Sequence, residues 1–91
     1  MLGLDLSRQA AKFLGALATK HAKQIAGKIV SLRENPEPPD SVALKGKASE
    51  YRRTDIGEYR IIYRVESDTL RVFIIGKRND DEVYRLLQRK L

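Results

Sequence analysis

The chain has 91 residues, 42% of them hydrophobic and 33% charged; 18 basic residues against 12 acidic ones give a net charge of +6. That length suits one small domain, residues 1–91, with a modest core and room for about one layer of helix on sheet. The absence of cysteine excludes a disulfide framework and a thiolate metal site, and the single histidine, His21, excludes a multi-histidine metal centre. A basic balance points to polyanionic partners: nucleic acid first, an acidic protein second, an anionic membrane third. The competing reading is a small basic domain that binds nothing in particular. The opening MLGLDLSRQAAKF lacks a basic segment followed by a long apolar run. A secretion signal is therefore not expected, and the cysteine-free composition suits the cytoplasm.

Leu2, Leu4 and Leu6 alternate with other residues, a short strand pattern. Ser7 follows as a helix N-cap. Ala10, Phe13, Leu14 and Leu17 then repeat at helical spacing. A break at Ala18-Thr19-Lys20, with Thr19 as the cap, introduces a second helix whose apolar stripe is Ala22, Ile25, Ala26, Ile29 and Leu32. Gly15 and Gly27 disfavour one long helix, so a helical hairpin is expected. His21 is expected on a solvated surface, and the lysines around it on the outer face. Asn35 to Asp40 holds Pro36, Pro38 and Pro39 and reads as an extended connection. Leu44-Lys45-Gly46-Lys47 reads as a basic turn.

Three strands follow: 51–56, 59–65 and 70–76, joined at Gly57-Glu58 and at Glu66 to Thr69. Two-residue periodicity puts Tyr59, Ile61, Tyr63 and Val65 on one face and Arg60, Ile62 and Arg64 on the other. The apolar third strand is expected to be central and covered on both sides. Asn79 to Glu82 opens a last helix, with Asn79 and Glu82 at capping-box spacing. Val83, Leu86, Leu87 and Leu91 form its apolar stripe. The fold class is α+β: an N-terminal strand and helical hairpin packed on an antiparallel three-strand meander, with a C-terminal helix.

No motif marks a nucleophilic triad, a metal cluster or a glycine-rich phosphate loop, and no cofactor is expected. What remains is Arg, Lys and Tyr. Guanidinium groups bind phosphate oxygens two at a time, and a cluster of them can hold the extra charge of a pentavalent phosphorus. Tyrosine can stack on a base or give a proton to a leaving oxygen. From residue types alone, a metal-independent ribonuclease and a non-catalytic RNA binder both remain open. So do the plainer readings, in which Arg60 pairs with an acid on the next strand, Tyr84 edges the core, and Arg64 and Arg71 are paired surface charges.

The order strand, helical hairpin, proline linker, LKG turn, YRRTDIGEYRIIYRV and LRVFIIGKRNDDEVY resembles the RelE/ParE superfamily of bacterial type II toxin–antitoxin toxins across essentially the whole chain. GEYRIIY and GKRNDDEVY resemble the RelE branch more than the gyrase-poisoning ParE branch. The resemblance implies a ribosome-dependent endoribonuclease that cuts mRNA in the A site by metal-independent 2′-OH attack. Its implied partners are the ribosome, through rRNA, the mRNA, and a cognate antitoxin that wraps the toxin; no membrane and no metal are implied. Two alternatives remain: a ParE-like gyrase inhibitor, and a non-catalytic antitoxin-binding homologue. Carried over residue by residue, Arg60 holds the scissile phosphate. Arg78 stabilises transition-state charge, and Tyr84 stacks on a base and moves a proton. Arg53 is the first basic residue of the preceding strand, with Arg52 the alternative one register away. Arg52, Lys45, Lys47, Lys77 and Arg64 are the expected RNA contacts. One departure stands out: the family's second basic residue on that strand is replaced here by Asp55, or by Thr54 in the Arg52 register, which leaves Lys45 or Lys47 to assist proton abstraction, or else implies a weaker activity or a different target.

Overall fold

A computed structural model describes residues 1–79 and 81–91. The chain runs β1 (Gly3–Leu6), α1 (Arg8–Ala16), α2 (Thr19–Glu34), β2 (Ser41–Ala43), a 3-10 turn (Gly46–Ala48), β3 (Arg52–Ile56), β4 (Tyr59–Glu66), β5 (Thr69–Lys77) and α3 (Glu82–Lys90). The strands form one sheet in the order β1-β5-β4-β3-β2. The expected meander β3-β4-β5 is its middle. β1 joins it parallel to β5, and β2, unforeseen in the sequence, adds an antiparallel edge along β3. The strand at the centre is therefore β4, and β5 lies beside it.

Two cores lie on opposite faces of the sheet. On one, Ala10 of α1 and Ile25, Ile29 and Leu32 of α2 cover Tyr59, Ile61, Tyr63, Leu70, Val72 and Ile75. On the other, Val83 and Leu87 of α3, with Ala48 and Tyr51, cover Ile62 and Ile74. The chain thus carries more than the single helical layer expected from its length. The second layer is a nine-residue helix that needs only a narrow apolar strip. Ala26 lies exposed rather than in the α2 stripe. His21 is half-buried, its ring edge-on to Tyr59 at 5.8 Å, rather than free on the surface.

A bulge breaks the simple alternation of β5. Ile62 pairs with Ile74, but Tyr63 pairs with Val72, which leaves Phe73 as the extra residue. Inward-facing positions on the α1/α2 side therefore run Leu70, Val72, then Ile75. Phe73 turns to the α3 side and stacks on Tyr51 at 5.0 Å. The bulge is also where α1 is pinned. The Ser7 hydroxyl accepts from the Ala10 N–H at 3.1 Å, as expected of an N-cap, and donates to the Phe73 carbonyl at 2.5 Å. Beyond the end of β1, the Gln9 side-chain amide takes over as a strand would: it donates to Ile75 O at 2.7 Å and accepts from Ile75 N at 2.9 Å. These bonds satisfy backbone groups that β1 is too short to reach.

Helix starts differ from expectation in two places. Ala18 rather than Thr19 is the N-cap of α2, and no side chain caps it. Asp81 rather than Asn79 is the N-cap of α3, also without a side-chain cap bond; Asp80 lies outside the described residues. Among the described residues no helix is long and apolar enough to cross a membrane.

Candidate active site

The β3–β4 hairpin sets the site. Gly57 occupies the turn at φ +57°, a conformation that glycine adopts without a Cβ clash. Counting outward from that turn, Ile56 pairs with Tyr59, Asp55 with Arg60, Thr54 with Ile61 and Arg53 with Ile62. Arg53, Asp55 and Arg60 thus share the α3 face of the sheet. Arg52 points to the opposite face, where it donates to the Ser41 hydroxyl at 2.8 and 3.1 Å and lies 3.5 Å from Glu37. Of the two registers open in the sequence, only Arg53 stands beside Arg60.

Arg60 and Asp55 form a two-pronged ion pair, Nε to Oδ1 at 2.7 Å and Nη2 to Oδ2 at 3.0 Å. The third guanidinium nitrogen, Nη1, donates to the Tyr84 hydroxyl at 2.8 Å, and the guanidinium lies 5.6 Å from the Tyr84 ring centre. Because the tyrosine oxygen accepts this bond, its own hydrogen is left to be donated elsewhere. The hydrogen bonds and charge of Arg60 hold the Asp55 carboxyl below its usual range, and Arg53 and Arg78 pull it the same way. In return Asp55, and after it Tyr84, raises the Arg60 guanidinium above its ordinary value.

Arg78 sits just beyond β5, in the turn before α3. Its backbone N–H donates to Glu58 O at 3.0 Å, which ties this turn to the β3–β4 turn. Among the described residues neither Arg53 nor Arg78 makes a side-chain hydrogen bond or ion pair, and both act on Asp55 through charge alone. Arg60 thus links Asp55 to Tyr84, with Arg53 on the same sheet face and Arg78 in the turn tied to Glu58.

Tyr84 is carried by α3, and that helix can lie this close because of Gly76. Gly76 is the register partner of Arg60, and a Cβ there would meet Val83 Cγ1 at 2.7 Å. On the far side of Tyr84 an open groove of about 560 Å³ runs between α3 and the 3-10 turn. Leu44, Ala48, Leu87 and Leu91 line it, and Lys45 and Lys47 stand beside it.

The other expected RNA contacts lie elsewhere. Arg64 is bound by Glu50 and by Glu66, the latter at 2.6 Å, and lies over the Tyr51 ring. Lys77 is exposed but pairs in register with Tyr59, which places it on the α1/α2 face, away from Arg60. Arg71 is paired with Glu66 and Asp5. Among the described residues no group of three or more His, Asp or Glu side chains could hold a metal ion. The Asp55–Arg60 contact was legible in the sequence, had the pairing been counted outward from Gly57-Glu58. Gly76 gave no such signal, because its need arises from a helix that approaches from elsewhere in the chain.

Residues 4–82 match the family model for the ParE toxin of the parDE type II toxin–antitoxin system. No curated protein matches the sequence. Among solved structures, the isolated RelE toxin of Escherichia coli superposes with a TM-score of 0.75 at 25% identity, over 100% of both chains. The archaeal RelE–RelB complex of Pyrococcus horikoshii gives 0.74 at 23% identity, covering 86% of this chain and 96% of that one. The YoeB/ParE toxin of Agrobacterium tumefaciens gives 0.70 at 19%, covering 84% and 98%. With the family model spanning most of its length and the same α+β frame throughout, this chain belongs to the RelE/ParE superfamily of type II toxin–antitoxin toxins.

Proposed function

We propose that this toxin is an mRNA interferase, a ribosome-dependent endoribonuclease that cuts mRNA in the A site and stops translation in the cytoplasm. The observation that carries the reading is Arg60 donating to the Tyr84 hydroxyl, with Arg53 on the same sheet face and Arg78 in the turn tied to Glu58. In this chemistry the 2′-oxygen attacks the adjacent phosphorus in line, and the 2′-proton leaves to a base. Arg60 and Arg78 hold the charge that builds on the phosphorane oxygens. Tyr84 gives its proton to the departing 5′-oxygen. The products are a 2′,3′-cyclic phosphate and a 5′-hydroxyl, with no redox change and no metal required. Lys45 and Lys47, along the groove beside Tyr84, are the groups offered for the base and for contact with RNA. A cognate antitoxin is the expected protein partner, as RelB is for the Pyrococcus toxin.

A second reading, inhibition of DNA gyrase, is favoured by the ParE description of the matching family model. One experiment separates them. Programmed ribosomes with added protein, in ordinary ribosome buffer, should yield A-site cleavage, and Arg78→Ala should reduce its rate by about a hundredfold or more. Arg78 is exposed and its side chain bonds nothing among the described residues, so its loss should leave the melting curve in place. Intact mRNA together with blocked supercoiling would replace the nuclease reading by the gyrase one.

A further inference from the structure

We propose that Asp55 is an internal anion that an incoming phosphate must displace from Arg60, and that it thereby sets how weakly the free protein takes single-stranded RNA. The inference rests on the ribonuclease reading for its ligand, and on geometry for its mechanism. A carboxylate meeting Nε and Nη2 at 2.7 and 3.0 Å makes the same two-pronged contact that two phosphate oxygens would make. With Nη1 on Tyr84, each nitrogen of the Arg60 guanidinium already has a partner. The charges of Arg53, on the same sheet face, and of Arg78 also favour an anion at Asp55, and among the described residues neither side chain has an ion-pair partner of its own. Asp55 thus sits where one guanidinium grips it directly and the charges of two more favour an anion.

One further observation favours displacement over a purely structural pair. The side chains of Arg60 and Asp55 are 16% and 29% exposed, so an anion can reach the contact from solvent. A part-buried, two-pronged pair can also steady the hairpin, a contribution that displacement would forgo. The hairpin register puts Asp55 directly opposite Arg60. Binding then exchanges one anion for another. A loose RNA strand gains little from the exchange. A phosphate held in place by other contacts, as on a scaffold, can win it.

The test is binding of a short, fluorescently labelled, single-stranded 2′-O-methyl RNA, read by anisotropy at one fixed salt concentration. This RNA has no free 2′-hydroxyl to attack, so binding is read without cleavage. Asp55→Asn should bind about fivefold tighter than wild type, the gain expected on releasing a part-exposed ion pair. Glu58→Gln, the same charge change in the adjacent turn, should gain less. Introduced into Arg60→Ala, Asp55→Asn should gain no more than Glu58→Gln does, which isolates the pairwise contact from the bulk charge change. Unchanged or weaker binding by Asp55→Asn would overturn the proposal and make Asp55 a scaffold for Arg60. An equal gain in the Arg60→Ala background would also overturn it, as a bulk charge effect. Circular dichroism melts accompany each variant, and Asp55→Ser repeats the comparison if the asparagine variant does not fold. A negative binding result with active cleavage on ribosomes sinks this inference alone; intact mRNA with the predicted binding pattern sinks the nuclease reading alone.

Discussion

Gly76→Ala is the sharpest probe of how α3 is held. The added methyl would sit 2.7 Å from Val83 Cγ1, roughly 1 Å inside ordinary contact. Val83 is fully buried and β-branched, so it has few ways to turn aside. Relief must come from moving α3 or bending β5, and overpacking of this kind costs about 1–3 kcal/mol. For a chain of this size that lowers the melting temperature by roughly 5–15 °C. The sign is informative, because alanine in place of glycine within a strand otherwise adds about 0.5–1 kcal/mol of stability. Tyr84 follows Val83 directly, so the same displacement stretches its 2.8 Å bond to Arg60. Thermal melts followed by circular dichroism give the stability change. Val83→Ala placed in the Gly76→Ala background should recover part of it, a non-additive pair. A Gly76→Ala melt within a degree or two of wild type, or above it, would refute the close approach.

Thr54 is buried on the α1/α2 side, and its hydroxyl has no hydrogen-bond partner. Thr54→Val should therefore raise stability by about 1 kcal/mol, seen as a higher urea midpoint with an unchanged slope. Ser7→Ala removes both the α1 cap and the bond to Phe73 O, and should lower stability by about 1–2 kcal/mol in the same assay. The Asp55 carboxyl titrates below its usual value of about 3.9, chiefly because Arg60 bonds to it. Its contribution is thus present above that pH and lost as pH falls through the folded-state value. Urea midpoints measured from pH 5 downward should fall less steeply for Asp55→Asn than for wild type, and identical acid limbs would count against the pair.

The elements that were legible in the sequence are those that obey local rules. Ser7 caps α1 because its hydroxyl sits at the one position that can reach the first-turn N–H groups. β4 alternates because one of its faces meets two helices. β2 escaped because Ser41-Val42-Ala43 is a strand only by virtue of lying along β3. Arg53 and Arg52 look equivalent as letters, and the hairpin turn alone decides which of them faces Arg60. Asn79 misses the N-cap position for a related reason: α3 begins at Glu82, which leaves Asn79 in the turn. Asp55 registers in composition only as one acid among many. Its position opposite Arg60 is a property of pairing.

The parallel pairing of β1 with β5 has a bearing on how the protein is made. Residues 3–6 are synthesised well before their partners, residues 69–72. β1 cannot be seated until that distant strand has been extended, and a contact closing so long a loop forms slowly. α1 waits as well, because its anchors at Ser7 and Gln9 reach Phe73 and Ile75. A nascent chain that has reached only the first hairpin therefore holds Arg53, Asp55 and Arg60 but lacks the strand that backs them and the helix that brings Tyr84. For a toxin, this means that the site is assembled only once synthesis has passed α3.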